Sequence, residues 1–248
     1  MKLTRHALPV LTSFFIATLL AAADAAKPAP AADGMASLLK ATGLTQAQFL
    51  TGLKSGLGTA VDMAGSELAK PGALQLSVPS SMAKMEAAAQ KLNQTGALDG
   101  FKASLNQAAM AVAPQATAAI KGAVGNLSLA DVTALSGGSP NAATMLLRKT
   151  AEPAIRTKLM PLVTQAIAAN GTAAKAKDLA AKAGPLAAMM GVPGAADLES
   201  HVLAQLLDTS FVYLGKQEAA LRANPASLKD ALAKKVFGAG ATASAVKK

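Results

Sequence analysis

The apolar positions of this chain recur at intervals of three and four residues over most of its length, the period of an amphipathic helix. Leu50, Leu53, Leu57, Val61, Ala64 and Leu68 form one such face. A capping box of Thr45 and Gln48 opens it, and Pro71-Gly72 stops it. Met85, Ala88 and Leu92 mark a second helix, entered through Ser80 or Ser81 and followed by Gly96. Leu98, Phe101, Leu105 and Val112 mark a third, with Pro114 placed where a first-turn proline would start the next. Ser128 with Asp131 is a capping motif ahead of Val132 and Leu135, and Gly137-Gly138 ends that helix. Asn141 is positioned to cap a helix carrying Met145 and Leu146. Ile155, Leu159, Leu162, Val163 and Ile167 continue at helical spacing, with a bend expected at Pro161. Residues 173–190 are Ala/Lys-rich and more weakly periodic. Leu198, Val202, Leu206, Phe211 and Leu214 predict a long helix to about Arg222, broken by Asn224-Pro225. Ser227 with Asp230 caps a last helix ending at Phe237-Gly238.

One stretch follows a different period. Leu74, Leu76 and Val78 alternate with Gln75 and Ser77, which predicts a short extended piece packed on helices, or at most an edge strand. The pattern as a whole predicts an all-α fold: a single-domain, multi-helix bundle of about nine helices with at most one short extended segment. Residues 26–44 read as a flexible Pro/Ala-rich lead-in and a short first helix, 45–238 as the helical domain, and 239–248 as a disordered tail of small residues.

Composition agrees with helix. Alanine, the best helix former, accounts for 61 of 248 residues. Ile is scarce, so the β-branched supply for a sheet is thin. Removing alanine from the apolar count leaves 67 residues of Val, Ile, Leu, Met, Phe and Tyr, ten of them before position 26. That suffices for one core of ordinary size. The methionines, Met63, Met82, Met85, Met110, Met145, Met160, Met189 and Met190, are expected as adaptable core fillers.

The first 25 residues have their own logic. Lys2 and Arg5 precede an apolar run of about 12 residues ending at Leu20, then small residues with A-x-A sites at positions 21–23 and 23–25. This is the pattern of a cleaved secretory signal peptide. The run is too short to cross a bilayer, which takes roughly 20 residues. No Cys follows it, so no lipid anchor is expected. The expected location is periplasmic or secreted, with no transmembrane segment after cleavage. Removal of residues 1–25 leaves 22 basic and 13 acidic residues. The excess is expected first to serve solubility; an anionic envelope surface is the further reading for a cationic exported protein. Nucleic acid is not an expected partner, because Arg and aromatic side chains are too few for backbone clamping and base stacking.

Candidate chemistry is sparse. Without Cys there is no disulfide, thiolate nucleophile or Cys-ligated metal. His201 is the one histidine beyond the leader; Asp197 lies one turn before it, but no G-x-S-x-G accompanies them. No spacing of His and carboxylates predicts a metal site, and no cofactor motif is present. Gly137, Gly138 and Asn141 precede a helix and could present backbone N–H groups to an anion, but a C-cap, a turn and an N-cap in series is the expected reading. Asp208 sits between Leu207 and Phe211, near an apolar face, and is expected to be partly buried and hydrogen-bonded. Glu218 and Arg222 are an i,i+4 pair on the same helix.

Taken in order, several short strings resemble one family. They are Val78-Pro79, Asp99-x-Phe101, Leu105-Asn106-x-Ala108-Ala109, Gly137-Gly138-x-x-Asn141-Ala142-Ala143-Thr144, Leu207-Asp208, Phe211, Glu218, Arg222, Asn224-Pro225 and residues 234–238. The chain resembles, from about Leu50 to Gly238, the family called domain of unknown function 4197, found in exported bacterial proteins. The resemblance implies an α-helical exported domain and no particular activity. The chain departs from the family pattern at Met110, at Met145-Leu146 and at Lys216-Gln217, where acidic or aromatic residues are expected.

The functional expectation is an exported envelope protein that acts as a non-enzymatic binding module, for a hydrophobic small molecule or an anionic envelope component. Candidate ligand-binding residues are Asp208, Phe211, Glu218, Arg222, Asn106, Gly137, Gly138 and Asn141. The alternatives are a hydrolase-type enzyme using carboxylates near Asp208 and Glu218, or a structural or protein-interaction module.

Overall fold

The computed structural model describes residues 30–91, 95–133, 139–183 and 193–245. Among these there are nine α-helices and no strand: α1 (Pro30–Thr42), α2 (Gln46–Leu68), α3 (Ala83–Lys91), α4 (Gly96–Gly125), α5 (Leu129–Thr133), α6 (Ala142–Ala169), α7 (Thr172–Ala183), α8 (Ala195–Ala223) and α9 (Ala231–Ala245). The all-α expectation holds.

Four long helices, α2, α4, α6 and α8, form the centre. α4 packs on α2, α6, α7 and α8, while α8 also packs on α2 and α6. Alanine makes this possible. Ala108, Ala109, Ala113, Ala116 and Ala119 of α4 are buried beside Leu98, Phe101, Leu105, Val112 and Ile120. Small side chains let the helices approach, and the larger ones fill what remains. Glycines let α2 and α9 approach closely. A Cβ on Gly56 would lie 2.1 Å from the Phe237 ring, and one on Gly52 would lie 2.7 Å from the Leu232 backbone. Only hydrogen fits at either position.

The helix ends follow local chemistry. Thr45 and Gln48 form the expected reciprocal box at the start of α2. Ser128 and Asp131 do the same before α5: the Ser128 N–H donates to Asp131 at 2.8 Å and the Asp131 N–H to Ser128 Oγ at 3.2 Å. The Ser128 hydroxyl also donates to the Asp131 carboxylate at 2.6 Å, and this bond, followed by that from the Ser128 N–H, holds the Asp131 carboxyl below its usual range. Lys54 reaches across from α2 to the last carbonyl of α4, Gly125 O, at 2.7 Å, where a cation suits the negative end of the helix.

Four local expectations are corrected. α4 runs straight through Pro114 instead of restarting there. Pro114, like Pro153 and Pro161 within α6, is on the solvent side, so the carbonyl each proline leaves without a donor can be hydrated. α9 is capped by Asp230 alone, whose carboxylate accepts from the Ala233 N–H at 2.8 Å. The Ser227 hydroxyl instead bonds back to Asn224 O. α9 also continues past Gly238 to Ala245, into the stretch read as a tail. Finally, Met63, Met110 and Met145 are exposed, not core; Met82 and Met85 are buried as expected, and Met189 and Met190 lie outside the described residues.

Residues 74–78 keep their alternation without a strand partner. Leu74, Leu76 and Val78 are buried and Gln75 and Ser77 exposed. Side chains take over the work of a ladder. The Leu76 N–H donates to Asn106 Oδ1 at 2.8 Å and the Ser77 N–H to Gln205 Oε1 at 2.9 Å. His201 Nε2 lies 2.7 Å from Ser77 O, and Gln205 Nε2 donates to the same oxygen at 3.2 Å. Asn106 and His201 therefore hold a strap across α4 and α8. Asp197 accepts from the Gly194 N–H at the start of α8.

Candidate functional site in the groove between α6 and α8

The first turn of α6 docks onto the C-terminal half of α8, and the two helices run antiparallel. Asn141 and Thr144 face Gly215, and Arg148 faces Asp208 and Phe211. Gly215 sets the spacing. A Cβ there would come within 3.3 Å of Asn141 Nδ2, so a larger residue would have to displace the Asn141 side chain.

Glu218 lies beneath this junction with no exposed surface. Its Oε2 accepts from the Thr144 N–H and the Thr144 hydroxyl, both at 2.7 Å, and its Oε1 from the Ala143 N–H at 3.2 Å. Arg222, one turn further along α8, donates to Oε1 through Nε at 2.9 Å and Nη2 at 2.7 Å. The Arg222 guanidinium lies 4.9 Å over the Phe237 ring. A helix N-terminus offers N–H groups and positive potential. Here a carboxylate from the same chain fills that position.

Several expectations change as a result. Asn141 occupies the N-cap position, but its side chain makes no capping bond; it accepts from the Ser139 hydroxyl at 2.6 Å. The anion read at Asn141 is internal, the Glu218 carboxylate. Gly137 and Gly138 lie outside the described residues. Glu218–Arg222 is a buried pair that joins helices, more than the ordinary helix-surface pair of its spacing. The fully buried acid is Glu218, not Asp208: the Asp208 side chain is 54% exposed. The expectation that Asp208 has a partner does hold, since Arg148 Nη2 donates to it. Asn106 serves the strap on α4.

Above Glu218 the two helices leave an open groove of about 500 Å³. Its floor includes Thr144, Phe211 and Gly215. Its rims carry Asn141, Met145 and Arg148 from α6, and Val212, Lys216 and Ala219 from α8. Met145 is 60% and Val212 51% exposed. Arg148 is held at one end. Its Nε donates to Glu152 at 2.8 Å and its guanidinium lies 5.5 Å over the Phe211 ring. Arg156 donates to the other oxygen of Glu152, also at 2.8 Å. Burial pushes the Glu152 carboxyl up, but hydrogen bonds from Arg148 and Arg156 outweigh it and hold it below its usual range. The Glu152 hydrogen bond in turn raises the already high pKa of Arg148. Lys216 lies 5.4 Å over the Tyr213 ring and has no acidic partner among the described residues.

Of the residues singled out in the sequence, Phe211 and Asn141 line the groove and Asp208 touches it through Arg148, whereas Arg148, Lys216, Met145 and Val212 were missed. One signal was available. Met145 and Val212 fall off the apolar stripes of their helices, yet each lies one turn from a cation of the groove, Met145 before Arg148 at i+3 and Val212 before Lys216 at i+4.

A family model described as protein of unknown function, DUF4197, matches residues 43–238. The chain belongs to that family. The match takes in the helices α2 to α8, with both sides of the groove, and it ends within α9. No curated protein and no solved structure matches the chain. Among the described residues no group of three or more His, Asp and Glu side chains is placed to hold a metal. No helix there is long and apolar enough to cross a membrane.

Proposed function

We propose that this DUF4197 protein is an exported, non-enzymatic binding module, and that the α6–α8 groove is its binding site for a small molecule with an apolar body. The observation that carries this is the lining: exposed Met145 and Val212 beside Phe211, with Arg148 fixed at one end. Exposed large apolar side chains converging on a concavity are a binding signature. The volume falls in the range of small-ligand sites, roughly 300–1,000 Å³. Export rests on the charged, apolar and A-x-A segments of residues 1–25.

The carboxylate-enzyme alternative has less support. Asp208 and Glu218 are ten residues apart on one helix, about 15 Å of rise. Paired catalytic carboxylates stand roughly 5–9.5 Å apart. Glu218 is also committed to five donor groups within the fold.

Two experiments test the proposal. N-terminal sequencing of envelope-fraction protein is expected to begin between Asp24 and Lys27; an intact Met1 in the cytoplasm overturns export. Calorimetric titration of decanol, as a plain apolar probe, is expected to give one site per chain that Met145→Glu abolishes. Unchanged binding by Met145→Glu overturns the assignment of the groove.

A further inference from the structure

We infer that the Arg148 end of the groove is a subsite for a single negative charge, so that the ligand is a monoanionic amphiphile, and that Asp208 is an internal competitor for this subsite. This rests on the groove being the binding site and adds the chemistry of the ligand's head.

Arg148 is anchored on one side and free to exchange on the other. Glu152, with a side chain only 17% exposed, is bonded by both Arg148 and Arg156. That bridge fixes the guanidinium plane against Phe211. Asp208, 54% exposed, touches the outward Nη2. Exposed ion pairs contribute little because water competes for both partners. An incoming carboxylate can therefore take Nη2 while Glu152 keeps Nε, since guanidinium geometry accommodates two carboxylates at once.

Charge around the groove points the same way. Arg148 and Arg156 are balanced by Glu152 and Asp208, and Lys216 on the groove rim leaves one positive charge over. That charge is the Lys216 ammonium, which lies over the Tyr213 ring and has no acidic partner among the described residues. One surplus charge matches one anionic head. From the head position the groove runs past Phe211, Val212 and Met145 toward Gly215 and Ala219. Positions 211–219 of α8 cover about 12 Å by helix rise, a span suited to a chain of about ten carbons.

The test titrates decanoate, decanol and decyltrimethylammonium into the full mature chain and into Asp208→Asn and Lys216→Met. Both variants change exposed side chains and leave Glu218 and the core intact; circular dichroism confirms folding. Decanoate is expected to bind wild type more tightly than decanol, and the ammonium more weakly than either. Asp208→Asn is expected to tighten decanoate about three- to fivefold, the worth of an exposed pair, and to leave decanol unchanged. Lys216→Met is expected to weaken decanoate by a similar factor. The preference for decanoate is expected to shrink with added salt. Equal binding of decanoate and decanol, with neither variant changing it, overturns the anionic subsite while the groove assignment stands. Asp208→Asn weakening decanoate overturns the competitor role. Binding of none of the three probes removes the groove reading and this inference with it.

Discussion

Replacing Glu218 by Gln keeps its shape and removes its charge, which isolates its role as the internal anion at the start of α6. In the native chain the carboxylate receives two backbone N–H groups, one hydroxyl and both contacts from Arg222, with no exposure to water. A glutamine presents one oxygen and one NH2 group to that ring of donors, so at least one donor meets another. Hydrogen bonds to a charged group contribute about 1.5–3 kcal/mol, and leaving a buried charge unpaired costs about 3–5 kcal/mol. Arg222 retains some access to water, with 15% exposure, which places the expected loss near 3 kcal/mol. At a urea m-value of about 2 kcal/mol/M, the midpoint falls by about 1.5 M. Circular dichroism is the suitable probe, since the chain has no Trp and one Tyr. Arg222→Met is expected to be milder, because Glu218 still holds the α6 N–H groups. The double variant is expected to stay well below wild type, since glutamine offers one oxygen to the Ala143 and Thr144 donors that the carboxylate meets with two. A Glu218→Gln midpoint within 0.3 M of wild type refutes the reasoning, as does recovery of stability in the double variant.

Gly56→Ala is expected to lose about 2–3 kcal/mol by overpacking against Phe237, whereas Gly58→Ala, where a Cβ meets open space, gains up to about 1 kcal/mol from helix propensity; urea melts of both separate steric from conformational effects, and equal losses contradict it. Asn106→Ala and Gln205→Ala each remove strap acceptors and are expected to lower stability by about 1–2 kcal/mol, with faster amide exchange at Leu76 and Ser77; unchanged exchange contradicts the strap. Glu152 has a folded pKa below its ordinary 4.5, so its contribution is full above pH 4.5 and is lost as pH falls through the folded value. The stability gap between wild type and Glu152→Gln is therefore expected to be largest at neutral pH and to close in acid; a gap independent of pH from 3 to 7 contradicts this.

Much of the architecture was legible because helical periodicity and capping chemistry are local. The Thr45–Gln48 and Ser128–Asp131 caps needed only four residues to be recognised, and residues 74–78 showed their buried and exposed sides directly. What failed was non-local. Pro114 resembles a helix start until one knows that it faces water. Asn141 resembles a cap until Glu218, more than seventy residues on, reaches its helix. Asp208 seemed buried because its neighbours in sequence are; on a helix Leu207 and Phe211 turn inward while Asp208 points to Arg148. The groove was the least legible part. It is formed where α6 and α8 meet, and Arg148 and Lys216 look like ordinary surface cations until the pairing of those helices is known.

Native mass spectrometry of the protein purified gently from its native cells tests the binding module most directly. The account expects one retained small molecule per chain, anionic and amphipathic on release, present on the native chain and on Asp208→Asn but missing from Met145→Glu. A bare chain that also fails to take up decanoate, or a ligand that Met145→Glu retains in full, contradicts it.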